Sequence, residues 1–259
     1  MITIKTPAEF EKMKRAGRCV AAVHREIREA VRPGVSLLEL DELAAKVIAA
    51  HDCLPSFLGY HGFPATICTS PNDVVVHGIP SEYRIREGDV LSIDAGAIYD
   101  GYHADAAFTM AVGEVEPDAH RLIEATRRAM WAGICTVGEG VRLGDVGAAI
   151  EQVAKEAGLG VVREYVGHGI GRQMHEEPQV PNYGQPGKGL KLRTGMAICI
   201  EPMFNLGSEE TKVDPDGWTV RTADGSLSAH WEHTVALTPE GVVVTTLEEP
   251  GVVSEMGLC

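Results

Sequence analysis

Apolar residues recur with a helical period in four stretches of the chain. Thr6-Pro7-Ala8-Glu9 forms a capping box with proline at the first helical position, and Ser36-Leu37-Leu38-Glu39 forms a second capping box. Pro33-Gly34 ends the first of these helical patterns. The sequence therefore predicts helices over about residues 7–32, 37–50, 117–135 and 143–157.

Between and after the helix pairs, residues 54–112 and 158–246 read as short strands broken by Gly, Pro and Asn-Asp turns. The order of two helices, strands, two helices, strands indicates a duplication. GDVLSID, residues 88–94, matches GMAICIE, residues 195–201, at an offset of 107. We expect one α+β domain spanning residues 1–259, with related halves at about 1–113 and 114–250 and antiparallel sheet flanked by helices.

Two carboxylates interrupt the apolar segment VLSIDAGAIYDGYHADAAFT, residues 90–109. A turn centred between Tyr99 and Asp100 would place Asp94 opposite Asp105, with Cβ atoms about 4.5–5.5 Å apart. Two such acids among apolar neighbours repel each other and resist ionisation. The alternative is a hairpin whose polar face meets water.

The same arrangement appears in the second half. Glu201 ends an apolar run, and Glu232 corresponds to Asp105 at an offset of 127, which implies an insertion of about twenty residues within 205–225. Four converging carboxylates require cations, and two divalent ions would cancel their charge. His168, between two glycines, offers a fifth ligand, and this donor set suits Mn, Fe(II), Co or Zn. Two such ions can activate a bridging water as hydroxide, so the pattern predicts hydrolysis of a carbonyl or phosphoryl group.

The other histidines carry weaker signals. His77 and His175 lie near glycine, and the likeness of His77-Gly78-Ile79 to His168-Gly169-Ile170 favours a function for His77. A lone histidine is otherwise more often a structural residue. We assign no functional role to four other histidines: His61, His103, His230 and His233. Strand alternation points the side chain of His233 away from the acids, because His233 directly follows Glu232.

The net charge of the chain limits the kinds of molecule that it is expected to bind. The formal net charge of −14 argues against nonspecific nucleic-acid binding. Residues 1–32 carry eight basic and four acidic side chains, so a local excess of +4 stands against −18 elsewhere. A solvated helix face explains this excess, and a surface that faces an anionic partner is the alternative.

The chain has no apolar run long enough to cross a bilayer and no secretory h-region at its start. Its six cysteines are scattered without a C-x-x-C pair. We therefore expect reduced thiols and a cytoplasmic protein.

Taken together, the motifs resemble those of the type I methionine aminopeptidases, metallopeptidases of the pita-bread fold. The resemblance spans residues 6–246 and rests on these segments: NDVVVHGIP, GDVLSIDAG, GYHAD, GHGIGRQMHEEP, GMAICIEPM and WEHT. It implies two pseudo-symmetric halves of antiparallel sheet flanked by helices. It also implies removal of the initiator methionine from nascent chains with a small second residue, through a hydroxide activated by a dinuclear metal centre.

The resemblance assigns roles to individual residues. Asp105 and Glu232 would bridge two divalent ions, with Asp94 on one ion and His168 and Glu201 on the other. His77 and His175 would contact the substrate and stabilise the tetrahedral intermediate, and Glu201 would shuttle protons. A monovalent cation would be held by backbone oxygens of Asn72, Val74 and Ser228.

The methionine side chain would occupy an apolar pocket formed by Tyr60, Phe63, Cys68 and Trp218, with Met174 and Phe57 nearby. Many relatives have an aromatic residue at 174, Tyr at 63 and a small residue at 57, so the shape of the pocket departs from the usual pattern. Met174 could equally fill a gap in the core.

Three alternatives of related fold are weighed. An Xaa-Pro peptidase usually carries a large N-terminal domain, a type II methionine aminopeptidase carries a larger insertion, and an inactive binding protein typically loses metal ligands. All five ligands are present here, which favours an enzyme. We expect a monomer acting on nascent polypeptide N-termini, with no membrane or specific DNA partner. The +4 excess makes the basic N-terminal helix a candidate for docking at the ribosome exit region, although the −18 of the remaining chain opposes it. The zinc-finger extension of some relatives is missing, so docking by that route is not expected.

Overall fold

The structure, a computed structural model, describes residues 2–257 and residue 259. The four predicted helices are confirmed within one or two residues at each end. Both capping boxes form: the Thr6 and Ser36 hydroxyls accept from the backbone N–H of Glu9 and Glu39, and each glutamate accepts from the cap's backbone N–H. The helices are α1 (Pro7–Ala30), α2 (Leu37–Ala50), α3 (Pro117–Thr136) and α4 (Leu143–Ala157).

Fifteen short strands and a 3₁₀ turn at Tyr60–Gly62 lie outside these helices in the described chain. The first half contributes β1 (Leu54–Pro55), β2 (Ile67–Pro71), β3 (Val74–Val76), β4 (Val90–Tyr99) and β5 (Tyr102–Ala111). The second half begins with β6 (Gly160–Val161), β7 (Gly167–Gly169), β8 (Glu176–Val180), β9 (Ala197–Ile200) and β10 (Met203–Asn205). It ends with β11 (Thr211–Val213), β12 (Val220–Thr222), β13 (Ser228–His230), β14 (Glu232–Thr238) and β15 (Gly241–Val244).

One large sheet joins the two halves. Its strand order is β1-β4-β5-β14-β9-β7-β8, with β2 also pairing β4 and β15 also pairing β14. All strand pairs within it are antiparallel. Strand β14 pairs with β5 of the first half on one side and with β9 of the second half on the other. Residues distant in sequence are thereby brought to adjacent strands, and the helix and sheet content is the expected α+β arrangement.

Helices cover this sheet in two groups. Apolar residues of α1 and α2, including Val20, Ile27 and Leu40, form one core cluster with β4 and β5. Residues of α3 and α4, including Met130 and Ile150, form another with β9 and β14. Each group buries the apolar stripe of its helices against the sheet, which is the main source of their stability.

The β4–β5 hairpin corrects the predicted register. Its turn is Asp100-Gly101, both with positive φ, and Tyr99 pairs with Tyr102. Asp94 therefore lies opposite Ala107, and Asp105 lies opposite Gly96. The prediction of a directly opposed Asp94–Asp105 pair was wrong. The turn lies one residue further along the chain than predicted, so the partner of Asp94 is residue 107 and not residue 105. Because residues two apart in a strand share a face, the two acids stay on the same face as diagonal neighbours.

The range 205–225 contains the β11–β12 hairpin, where the sequence comparison of the two halves indicates extra residues. The hairpin pairs with β3 of the first half through β12. Trp218 lies in its connection, and the Trp218 ring is 5.1 Å from that of Phe63. The hairpin therefore carries a large apolar side chain to a first-half surface.

The cysteine prediction was wrong for two of the six residues. Cys135, at the end of α3, forms a disulfide with Cys259. Cys19, Cys53, Cys68 and Cys199 are free and buried. Pairing of two cysteines 124 residues apart cannot be deduced from their spacing. Across the described residues, none of the helices is long and apolar enough to cross a bilayer.

Candidate metal centre and apolar pocket

Five adjacent strands of the large sheet each supply one ionisable side chain to the same region. Following the strand order, Asp94 comes from β4, Asp105 from β5, Glu232 from β14, and Glu201 from the position immediately after β9, while His168 comes from β7. Glu232 pairs with Ala107, which also pairs with Asp94, so these positions form one row across the sheet. All five side chains line one cavity.

Backbone contacts fix the positions of the acids. The backbone N–H of Asp105 donates to the Thr234 hydroxyl at 3.0 Å, and that hydroxyl donates to the Asp105 carbonyl at 2.8 Å. This exchange attaches β5 to β14 beside Glu232. The side-chain amide of Asn182 donates to the Glu201 carbonyl at 3.0 Å. Asp94, Asp105 and Glu232 therefore lie on strands, and Glu201 directly follows the end of β9.

The glycines on either side of His168 permit close backbone approach, as the sequence indicates. A Cβ at Gly167 would lie 2.2 Å from the Cys199 carbonyl oxygen, and a Cβ at Gly169 would lie 2.2 Å from the Glu177 carbonyl oxygen. Nδ1 of His168 lies 2.9 Å from the Gly169 carbonyl. With Nδ1–H donating there, the lone pair of Nε2 is free, and Nε2 lies 3.5 Å from Oε1 of Glu201.

Within the part of the chain that the structure describes, the ion pairs of these acids involve histidine and no lysine or arginine. Burial is the main cause that raises the pKa of Asp94 from 3.8 to about 7. Burial and the neighbouring carboxylates raise the pKa values of Asp105, Glu201 and Glu232 well above their usual range. Burial lowers the pKa of His168 to about 3, so its imidazole is neutral. The protein alone therefore disfavours the charged forms of all five groups.

The donor set fits divalent metal ions. Oδ1 of Asp94, Oδ1 of Asp105 and Oε1 of Glu232 are buried without a hydrogen-bond partner. One oxygen of each of these three residues lies within 4.8 Å of the other two. Buried charged oxygens are normally paired or bound to metals. Oxygen-rich ligation with imidazole suits Mn, Fe(II), Co or Zn.

The structure adds two residues that the sequence analysis did not assign to the site. His230, 2 % exposed, groups with Glu201 and Glu232, and Cys199 groups with His168 and Glu232. Each lies two residues before one of the predicted acids, and strand alternation puts residues i and i+2 on the same face. The same rule turned His233 away from the acids, and applied to His230 it would have found this residue.

An apolar pocket adjoins the acids. Its aromatic rings pack edge to face, with centroids 6.5 Å apart for Phe57 and Phe63 and 5.1 Å apart for Phe63 and Trp218. Cys68 pairs with Asp94 across β2 and β4, which places the pocket directly beside the acids. The predicted pocket residues are brought together: Phe57, Tyr60, Phe63, Cys68, Met174 and Trp218.

His77 and His175 lie at the junction of pocket and acids. The ring of His175 is 4.2 Å from that of His168, and its Nδ1 is 2.8 Å from the Tyr60 hydroxyl. The ring of His77 lies 6.4 Å from that of Trp218, with a positive φ of 59° in its backbone. Burial lowers the pKa of His77 to about 4 and also lowers the pKa of His175, so both are neutral near pH 7.

Two residues predicted to surround a monovalent cation are in direct contact. The backbone N–H of Ser228 donates to the Asn72 carbonyl at 2.9 Å, and Asn72 has a positive φ of 57°. Val74 begins β3 two residues later. The cation itself stays a prediction.

Three of the four histidines without an assigned role contact other side chains. The His233 ring contacts the Thr246 hydroxyl at 2.8 Å on the far side of β14. The His103 ring contacts the Ser56 hydroxyl at 3.0 Å, and the His61 ring packs against Tyr60 at 4.3 Å.

The chain is similar to known proteins in both sequence and fold. The model of the family described as metallopeptidase family M24 matches residues 11–239. The methionine aminopeptidase of Clostridium acetobutylicum is 48 % identical over 250 residues, covering 96 % of this chain and all of the relative.

Solved structures of methionine aminopeptidases and of a related dipeptidase are similar to this chain in fold. The methionine aminopeptidase of Thermotoga maritima has a TM-score of 0.94 at 44 % identity, covering 96 % of this chain and 100 % of that one. An Xaa-Pro dipeptidase from Bacillus anthracis has a TM-score of 0.76 at 25 % identity, and this chain covers 63 % of its length. The expected pita-bread fold is thereby confirmed.

Proposed function

Because the chain belongs to metallopeptidase family M24 and matches methionine aminopeptidases over nearly its full length, we propose that it removes the N-terminal methionine from nascent polypeptides with a small second residue. The observation that carries the proposal is the junction of a buried carboxylate cluster with an apolar pocket in one cavity. The substrate's α-amino group, its first peptide bond and a thioether side chain would each meet a matching surface there. We propose residues 1–259 as a single catalytic domain.

Divalent metal is the cofactor of the family, and two ions are proposed here. Asp105 and Glu232 would bridge them, with Asp94 on one ion and His168 and Glu201 on the other. The ions would polarise the scissile carbonyl and lower the pKa of a water molecule toward 7. Co, Mn, Fe(II) and Zn all suit these ligands, and a monovalent cation near Asn72, Val74 and Ser228 belongs to the same proposal.

The protein's own groups orient the substrate and handle protons. The methionine side chain would pack among the pocket aromatics, and the neutral rings of His77 and His175 would face the scissile bond. If the Tyr60 hydroxyl donates to Nδ1 of His175, the imidazole proton sits on Nε2. That N–H could then donate to an oxygen that becomes negative in the tetrahedral intermediate. Glu201 would carry the proton to the leaving amine.

The alternatives have less support. An Xaa-Pro peptidase is disfavoured because the solved dipeptidase is 25 % identical, against 44 % for the Thermotoga methionine aminopeptidase. A binding protein without catalysis is disfavoured because all five candidate ligands line the same cavity.

A pair of peptides tests the activity. The protein should release methionine from Met-Ala-Ser and not from Met-Leu-Ser, because a large second residue would not fit beside the acids. A chelator should abolish release, and Mn²⁺ or Co²⁺ should restore it. Equal cleavage of both peptides, or release that survives chelation, would contradict the proposal.

Docking at the ribosome exit region stays a prediction. Several basic side chains of α1 already have partners within the protein, which leaves less positive charge for an anionic partner. Lys12 pairs with Asp100 at 2.6 Å, Lys14 pairs with Glu11 at 2.8 Å, and the Arg15 guanidinium stacks on Tyr99. Co-sedimentation with ribosomes should weaken when Lys12, Lys14, Arg15 and Arg18 are changed to Glu, and unchanged binding would remove the idea. We also propose a cytoplasmic monomer, which light scattering and fractionation would test.

A further inference from the structure

The side chain of His230 is directed at the carboxylates of the proposed metal centre. Its Nε2 lies 3.7 Å from Oε2 of Glu201 and 3.9 Å from Oε2 of Glu232. Both distances are too long for hydrogen bonds. Nε2 is fully buried and has no hydrogen-bond partner. An unpaired polar atom in this position requires an explanation.

A shared metal ion accounts for these distances. Ligand atoms bind such ions at about 2.0–2.2 Å, so two atoms on one ion are at most about 4.4 Å apart. The separations from His230 to Glu201 and Glu232 satisfy this limit. Nε2 of His168, which is already a proposed ligand, lies at a similar 3.5 Å from the other oxygen of Glu201. The Glu201 carboxylate therefore lies between two imidazoles.

The backbone of His230 is held in place independently of any ion. Its N–H donates to the Thr109 hydroxyl at 2.9 Å, and the Thr109 hydroxyl donates to the His230 carbonyl at 2.7 Å. On the other side, β13 pairs with β10 through His230 and Met203. The ring is thus presented from a fixed strand position, as a preorganised ligand would be.

We propose that His230 is a further nitrogen ligand of the divalent centre, on the side of Glu201 and Glu232. This inference rests on the proposed metallopeptidase function and extends its ligand set. A second imidazole favours Zn²⁺ and Co²⁺ over Mn²⁺, because imidazole suits the former ions better than the oxygen-preferring Mn²⁺.

X-ray absorption of the protein loaded with two equivalents of Zn²⁺ tests the proposal. The wild type should show outer-shell imidazole scattering from two histidines per pair of ions, and His230→Ala should show half of that. His233→Gln, which alters the neighbouring histidine on the opposite face, should leave the scattering unchanged. A wild-type spectrum with one imidazole per pair of ions would overturn the proposal without any variant.

Metal affinity gives a second readout. By calorimetry, His230→Ala and His230→Gln should bind Zn²⁺ and Co²⁺ at least about tenfold more weakly, because even residues behind the ligands cost 10–100-fold. Their affinity for Mn²⁺ should change less. Added imidazole should restore the Co²⁺ absorption spectrum of His230→Ala. Wild-type affinities in either variant would reject the proposal, whereas failure of the wild type to bind metal would reject the proposed function itself.

Discussion

The hydroxyl of Tyr60 lies 2.8 Å from Nδ1 of His175, and the rings of these two residues are 5.3 Å apart. Tyr60 belongs to the apolar pocket, and the ring of His175 lies 4.2 Å from that of His168, with the two planes tilted by 54°. This hydrogen bond joins the surface that would bind the substrate side chain to the ring that would face its carbonyl.

The first prediction removes that hydrogen bond. In Tyr60→Phe the ring still fills the pocket, but His175 loses the partner that sets its proton on Nε2. A neutral hydrogen bond is worth about 0.5–1.5 kcal/mol, so kcat for Met-Ala-Ser should fall by about 2- to 13-fold with little change in KM. Tyr83→Phe, which removes a hydroxyl bonded to Asp89 outside the cavity, is the control. Steady-state kinetics in which KM rises and kcat is unchanged would contradict this role.

The second prediction concerns metal removal and pH. Without ions, the pKa of Asp94 is raised from 3.8 to about 7, so between these values the folded state holds more protons than the unfolded chain. The contribution of Asp94 to the free energy of unfolding is fully present below about pH 4 and is lost as the pH rises through 7. The difference in Tm between metal-loaded and chelated protein should therefore widen from pH 5 to pH 8. Calorimetric scans that show a constant difference would contradict the account.

The third prediction separates charge from shape at Asp105. Asp105→Asn should lose metal binding and activity, because the residue is proposed to serve both ions. The chelated variant should nevertheless melt at a higher temperature than the chelated wild type at pH 8, because a buried charge next to Asp94 and Glu232 is gone. The matched control is Asp89→Asn, a buried acid that accepts from Asn72, Tyr83 and Arg86. It should be destabilised with its metal affinity intact.

If chelated Asp105→Asn is no more stable than the wild type, the acids do not repel each other as described. If it keeps wild-type metal affinity, Asp105 is not a ligand. Both measurements use the same purified protein, by calorimetric titration and by thermal unfolding.

The fourth prediction concerns a buried histidine that does not line the cavity. His24 packs edge to face on Phe108 at 4.7 Å, and burial lowers its pKa well below 6.5. Below pH 6.5, His24 takes up a proton in the unfolded chain but stays neutral in the folded chain. The free energy of unfolding therefore falls by up to about 1.4 kcal/mol for each unit by which the pH is lowered. In His24→Leu the free energy of unfolding should fall less between pH 7 and pH 5 than it does in the wild type. The exposed His120→Gln variant should keep the wild-type slope.

Local patterns predicted much of this fold. The capping boxes at Thr6 and Ser36 located two helix starts because the signal lies within four residues. The prediction that Asp94 and Asp105 share one face of the hairpin was correct. Moving the turn by one residue shifts the pairing by two residues, and residues two apart in a strand point to the same face. The register itself was missed because the Asp100-Gly101 pair, which favours a type I′ turn, was not used to centre the hairpin.

Long-range pairing accounts for the rest. The Cys135–Cys259 disulfide and the approach of Trp218 to Phe63 depend on how distant segments meet, which spacing along the chain does not encode. The proposed metal ligands, the two substrate-contacting histidines and the pocket residues named from the resemblance line one cavity, whereas Asn72, Val74 and Ser228 lie outside its lining. The two-residue spacing of His230 and Glu232 is visible in the sequence, whereas the approach of His230 to Glu201 depends on the pairing of β9 with β14.

The most direct measurement of the central claim is a crystal structure of the Co²⁺-loaded protein with anomalous scattering recorded at the cobalt edge. The account predicts two anomalous peaks in the cavity, each within bonding distance of Asp105 and Glu232, with Asp94 on one ion and His168 and Glu201 on the other. Cobalt bound only elsewhere on the protein, or a cavity without anomalous density at saturating Co²⁺, would contradict it.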